Sequence, residues 1–182
     1  DLMLPPAQRW QSLERETGLV DTCTQLAWWI AARTYLGLVH RLRIDGREHL
    51  PSNPPFILVA NHTSHLDVLC LAAALPVRLR ERLLPIAAGD TFFQTPLHAR
   101  MATLLLNALP LWRDNCGAHA LKKLRHRLVD EPCVYVLFPE GTRSRSGDMS
   151  PFRSGLGMLV AGSPAPVLPC YLEGAFAALP PS

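Results

Sequence analysis

The chain has 182 residues, of which 48% are hydrophobic and 18% charged, a composition that excludes a disordered tail and gives one domain with a real core. A formal net charge of +3, with no basic block interleaved with aromatics, argues against nucleic acid as a partner and leaves anionic phosphates or an anionic membrane face. The five cysteines are scattered and form no CxxC pair, so reduced thiols in a cytosolic setting are expected.

Along the chain, residues 7–18 (AQRWQSLERETG) read as a short polar helix. No secretory leader is expected, because no basic region precedes an apolar core and a small-residue cleavage site. The segment Leu26 to Val39 (LAWWIAARTYLGLV) is strongly apolar but shorter than the roughly 20 residues that span a bilayer. Trp28, Trp29 and Tyr35 suit a helix lying at a membrane interface, with a core helix as the alternative. Residues 1–40 are therefore expected to form an N-terminal helical segment, and residues 41–182 the main domain.

From there strands and helices alternate. RLRIDG, PFILVAN, RLLPIAAG, ALPLWR, CVYVLFPE and PVLPCYLEG read as strands, PFILVAN as a central one and CVYVLFPE as the most strand-like. SHLDVLCLAAAL, TPLHARMATLLLN, GAHALKKLRHRLVDE and the region around SGLGMLVAG read as helices. The third of these is amphipathic, with Leu121, Leu124 and Leu128 on one side and basic residues around the other. The alternation predicts an α/β fold with a mixed, largely parallel central sheet flanked by helices. Because the chain begins with Asp1 and ends soon after its last strand, it is expected to be part of something longer.

Chemistry concentrates just after apolar strands. The heptad NHTSHLD (Asn61 to Asp67) follows PFILVA at once. On one straight helix, residues five apart lie about 140° apart around the axis, so His62 and Asp67 would not meet. If Ser64 caps the helix, His62 lies in the entering turn and Asp67 in the first helical turn, and the carboxylate can reach back to a ring nitrogen. A histidine so held has a fixed tautomer and a second nitrogen free to act as base. Two rival readings stay open: a capping box in which Asp67 only satisfies backbone N–H groups, and a metal site built from His62, His65 and Asp67. The second constellation is FPEGTRSRSG, where Glu140, Gly141, Thr142, Arg143 and Arg145 follow a buried strand, a place where α/β folds bind ligands. Arginine's planar fork suits phosphate. Arg113, in NALPLWRD, is the third polar group past a strand.

These blocks resemble the glycerolipid acyltransferases of the lysophosphatidate type. NHTSHLD is similar to that family's N-H-x-S-x-x-D block, FPEGTRSRSG to its F-P-E-G-T-R-S block, NALPLWRD to its middle arginine block and PVLPCYLEG to its last block. The resemblance covers roughly Ile44 to Gly174, in the family's order. It implies acyl transfer from acyl-CoA or acyl carrier protein to a hydroxyl of a lysophospholipid or glycerol-phosphate acceptor, on the cytoplasmic face of a membrane, peripheral or monotopic. It implies His62 as general base, Asp67 as its orienting acid, and Arg143 with Arg113 on the acceptor phosphate. Glu140 and Thr142 belong to the acceptor block, Glu140 through acceptor hydroxyls or by orienting an arginine, and Gly141 lets the backbone approach the ligand. No metal or other cofactor is implied. Two departures, a segment AAGDTFFQTP without the family's common lysine and Asn107 where glycine is common, loosen the tie to one acceptor. A metal-dependent hydrolase and an inactive lipid-binding relative are the competing functions.

Overall fold

The computed structural model describes residues 19–89, 93–111 and 118–181. The expected polar helix over 7–18 lies outside them, as do Arg113 and Cys116. Five strands, β1 (Phe56–Ala60), β2 (Leu83–Ala88), β3 (Leu109–Leu111), β4 (Val134–Leu137) and β5 (Val167–Cys170), form one sheet in the order β3-β2-β4-β1-β5. Every pairing is parallel, so the sheet is not mixed as expected. Among the described residues the helices are α1 (Leu19–Leu38), α2 (Asp67–Ala74), α3 (Val77–Arg80), α4 (Pro96–Leu106), α5 (Ala118–Asp130), α6 (Gly155–Val160) and α7 (Ala175–Ala178).

At β1 the sheet is buried on both faces, which is why that strand reads FILVA with no polar alternation. Phe56, Leu58 and Ala60 of β1 join Val134 and Val136 of β4 against Trp29, Ala32, Leu71 and Ala72. Ile57, Val59 and Tyr135 point the other way, into the Leu121, Leu124 and Leu128 stripe of α5. The period of two along the strands thus meets the helical period of α5. Each fully buried leucine there contributes about 1.5–3 kcal/mol.

Two further expectations are corrected. RLRIDG forms no strand: Leu42 and Ile44 alternate because both pack against the cluster of Leu36, Leu66, Cys70 and Ala73, and among the described residues no ladder partner lies beside them. Trp28 and Trp29 belong to the core rather than to an interface, Trp29 buried and Trp28 packed against the same cluster. The apolar side chains that α1 exposes are Leu26, Ile30, Tyr35 and Leu38 instead. Pro85, on the other hand, sits inside a strand with two partners. Leu83 to Pro85 pair with β4 and Ile86 to Ala88 with β3, so the missing N–H falls where β2 changes partner.

Candidate active site

β1 delivers its C-terminal end to a frame of backbone and side-chain bonds. Asn61 extends the β1–β5 pairing through its amide: Nδ2 donates to Leu172 O at 2.9 Å, and Leu172 N donates to Oδ1 at 2.8 Å. The chain then turns, and α2 starts at Asp67, with Leu66 as the flanking residue. Ser64 is therefore not the cap expected from the sequence. Its hydroxyl accepts from Leu66 N at 3.1 Å and donates to Leu179 O at 2.7 Å, which pins the turn to the C-terminal segment.

Asp67 closes the turn. It is 0% exposed, and its Oδ2 accepts from Thr63 N at 2.7 Å and Ser64 N at 2.8 Å. The same oxygen lies 2.8 Å from His62 Nδ1. The capping arrangement and the His–Asp pair, separate alternatives on sequence grounds, are one object. An oxygen that accepts from two backbone N–H groups is an acceptor, so Nδ1 must carry the proton and donate. That fixes the tautomer and leaves Nε2 with its lone pair. The imidazole, 20% exposed, is stacked on Phe138 with ring centroids 3.9 Å apart and planes 13° from parallel. Carboxylate and aromatic ring together fix both the tilt and the plane of the base.

The second block acts on the same histidine through its main chain. Glu140 is 2% exposed, and its Oε1 accepts from His62 N at 2.8 Å while Oε2 accepts from Ser150 N at 2.9 Å. Ser144 N donates to His62 O at 2.8 Å, so both backbone groups of His62 are tied to this loop. Glu140 is expected from the resemblance to touch acceptor hydroxyls or to orient an arginine. Each of its oxygens accepts from a backbone N–H, which makes it a strut beneath the base. Gly141 is expected to admit the ligand. At φ +76°, it makes room for Arg153, whose Cδ and Nε would lie 2.7 Å from any Cβ there. Arg153 Nε in turn donates to Glu140 O at 3.2 Å.

Arg143 is half-buried, with Nη1 donating to His65 Nδ1 at 2.7 Å and also in contact with the ring's Nε2. Burial first, then the Arg143 charge, hold the His65 pKa below its ordinary value, which suits a neutral ring accepting from a cation. Thr142 is exposed. Among the described residues no three His, Cys, Asp or Glu side chains converge as metal ligands. Phe138, Ser144 and Arg153 are site residues without a role in the sequence reading, where His65 stands only as a possible metal ligand. Phe138 and Ser144 lie in the FPEGTRSRSG block and Arg153 just beyond it, so the length of that block, rather than its charges, was the usable signal.

The acyltransferase family model matches residues 41–173. The chain is 29% identical over 135 residues to 1-acyl-sn-glycerol-3-phosphate acyltransferase alpha of Mus musculus, covering 73% of this chain and 45% of that protein. It is 28% identical over 152 residues to the beta form of Homo sapiens, covering 82% of this chain and 52% of that protein. The chain thus spans about half the length of these relatives. In fold it is similar to the crystal structure of the 1-acyl-sn-glycerophosphate (LPA) acyltransferase PlsC of Thermotoga maritima. That likeness has a TM-score of 0.59 and 24% identity, over 88% of this chain and 60% of the other.

Proposed function

The chain belongs to the acyltransferase family, and on that premise we propose that it moves a fatty acyl group from acyl-CoA or acyl carrier protein to a hydroxyl of a lysophospholipid or glycerol phosphate. The observation that carries this reading is the 2.8 Å contact between His62 Nδ1 and Asp67 Oδ2, in a frame that holds both ring and backbone of the histidine. Nε2 takes the acceptor hydroxyl's proton as that oxygen attacks the thioester carbonyl. As the C–O bond forms and the C–S bond breaks, the imidazolium returns the proton to the departing thiolate. Asp67 stabilises the imidazolium during its lifetime. The acceptor is itself the nucleophile, so no acyl-enzyme is needed and positioning supplies much of the rate.

Arg143, with Arg113, takes the acceptor phosphate; among the described residues no carboxylate is paired with Arg143. A lipid acceptor accounts for the apolar side chains exposed on the loops around the base. Met149 and Phe152 flank residues bound to Glu140 and Pro139, and Tyr171 precedes the Leu172 that pairs with Asn61. The protein works at the cytoplasmic face of a membrane, peripheral or monotopic. No helix among the described residues is long and apolar enough to cross one.

The test is labelled acyl transfer from acyl-CoA and from acyl carrier protein to a panel of lysolipids and glycerol phosphate, with His62→Ala beside the parent. Turnover by the parent, lost by at least about 100-fold in the variant, is expected for a general base. A parent that acylates nothing, or a variant at full rate, ends the proposal.

A further inference from the structure

At the end of α2 remote from His62, a cavity of about 580 Å³ opens between α1, the turn at Arg47 and the segment around α3. Four of its lining residues are arginines: Arg33, Arg47, Arg78 and Arg80. Arg33 and Arg47 both donate to Ala73 O, Arg47 at 2.9 Å. Arg80 Nε donates to Ala72 O at 3.0 Å and Leu75 O at 3.1 Å, and Arg78 donates to Ser52 O at 3.3 Å. Cations at a helix C-terminus are ordinary, but a helix end carries only about half an elementary negative charge. Four guanidiniums exceed that several-fold, and among the described residues none of the four is paired with a carboxylate. Arg80 is only 7% exposed. Its burial, and then the charges of Arg33 and Arg47, push its guanidinium below its ordinary pKa. An anion with several oxygens relieves such a cluster, and phosphate matches the guanidinium fork.

The rim says which phosphate. Ile30 is 58% and Val77 53% exposed, and both line the cavity. Leu26, Ile30 and Arg33 follow one another at i, i+4 and i+7, so they share the outward face of α1. Arg33 is the sole charged residue from Thr22 to Leu38. A free phosphate has no use for an apolar rim beside its cations, whereas a lipid phosphate arrives with acyl chains. We propose that the cavity lined by Arg33, Arg47, Arg78 and Arg80 binds the phosphate group of an anionic phospholipid, with the outward face of α1 against the bilayer. The site is one helix away from the acceptor site. It rests on the membrane-surface part of the reading above and not on acyl transfer.

Point variants serve better than deletion of residues 1–40, which would remove Trp29, Ala32 and Leu36 from the core. The experiment is co-sedimentation with vesicles of phosphatidylcholine, with and without phosphatidylglycerol, for the parent, Arg33→Gln/Arg47→Gln and Lys122→Gln/Lys123→Gln. The last pair removes the same charge from exposed positions on α5. The parent is expected to prefer the phosphatidylglycerol vesicles, the arginine variant to bind them roughly 30-fold more weakly, and the lysine variant to stay within about twofold of the parent. Equal losses in both variants would make the effect one of general charge and overturn the site. Displacement of the parent from vesicles by inorganic phosphate at matched ionic strength would give the cavity to a free phosphate and overturn the lipid assignment. If the double variant does not fold, Arg78→Gln, at an exposed position, carries the same test with an expected loss of about 5-fold. Acylation of a monodisperse short-chain acceptor, followed in parallel, should be unchanged by the arginine substitutions. Its absence in the parent would count against the acyl-transfer reading alone.

Discussion

Two buried carboxylates serve one histidine, and they do so differently. Asp67, five residues along the chain, holds the ring of His62; Glu140, 78 residues along, holds its backbone N–H. In the proposed mechanism Asp67 takes part in the chemistry, because its carboxylate faces the imidazolium that forms during transfer. Glu140 sets where the histidine stands, because both of its oxygens are spent on main-chain N–H groups. A carboxylate at the mouth of a buried strand can therefore belong to the architecture of a site.

The largest break in this comparison is expected from Asp67→Asn. Its amide oxygen stays where Thr63 N, Ser64 N and Nδ1 all need an acceptor, so the tautomer is kept and what is lost is the charge that faces the imidazolium. The expected loss in kcat is roughly 10²–10⁴-fold with acceptor KM little changed. Arg143→Ala marks a contrast outside both carboxylates. Removing a charged phosphate contact worth about 1.5–3 kcal/mol should raise acceptor KM roughly 10–100-fold and leave kcat near the parent's. An unchanged KM would remove Arg143 from the acceptor site. Glu140→Gln should act chiefly on stability. One backbone N–H would face an amide N–H₂, at a cost of about 1–3 kcal/mol, read as a lower Tm. A raised acceptor KM at unchanged Tm would return Glu140 to the ligand. Gly141→Ala strains the same side more gently. A left-handed backbone and a Cβ against Arg153 should cost about 1–2 kcal/mol, a Tm lower by roughly 2–8 °C, with Asp67 untouched.

The smallest effect concerns pH. The folded pKa of His65 lies below the ordinary 6.5. The folded state then binds fewer protons than the unfolded one, so this contribution is complete above pH 6.5 and is lost as pH falls through the folded value. In that window a protonated His65 also repels Arg143. Acceptor KM should rise on acidification, and His65→Ala should flatten that rise. An identical profile for parent and variant would dissociate the two residues.

Much of the frame was legible because it is periodic or local. The α5 stripe, the run FILVA and the return of Asp67 to His62 all follow from spacing within a few residues. The role of Glu140 depends on β4 lying beside β1, a pairing across most of the domain, and no local rule says whether a carboxylate there points outward or back. Trp28 and Trp29 misled for a related reason. Composition marks a helix as suited to an interface, while its rotation is set by what it packs on, here β1 and α2. RLRIDG has the alternation of a strand, but Leu42 and Ile44 satisfy it against helices. Ser64, expected to cap the helix, stands two residues before the flanking Leu66, because a hydroxyl before a helix serves a preceding turn as readily as a cap.

The strand order has a consequence for how the molecule assembles. β4 sits between β1 and β2, so when synthesis has reached residue 133 the only ladder available is β2 with β3. The four residues of β4 then join the two halves, and the chain leaving that strand carries Phe138 and Glu140 to His62. The last interior strand to emerge is thus the one that completes the base. A chain without β4 lacks both the Phe138 stack and the Glu140 strut, so the frame around His62 is complete only when the sheet is closed.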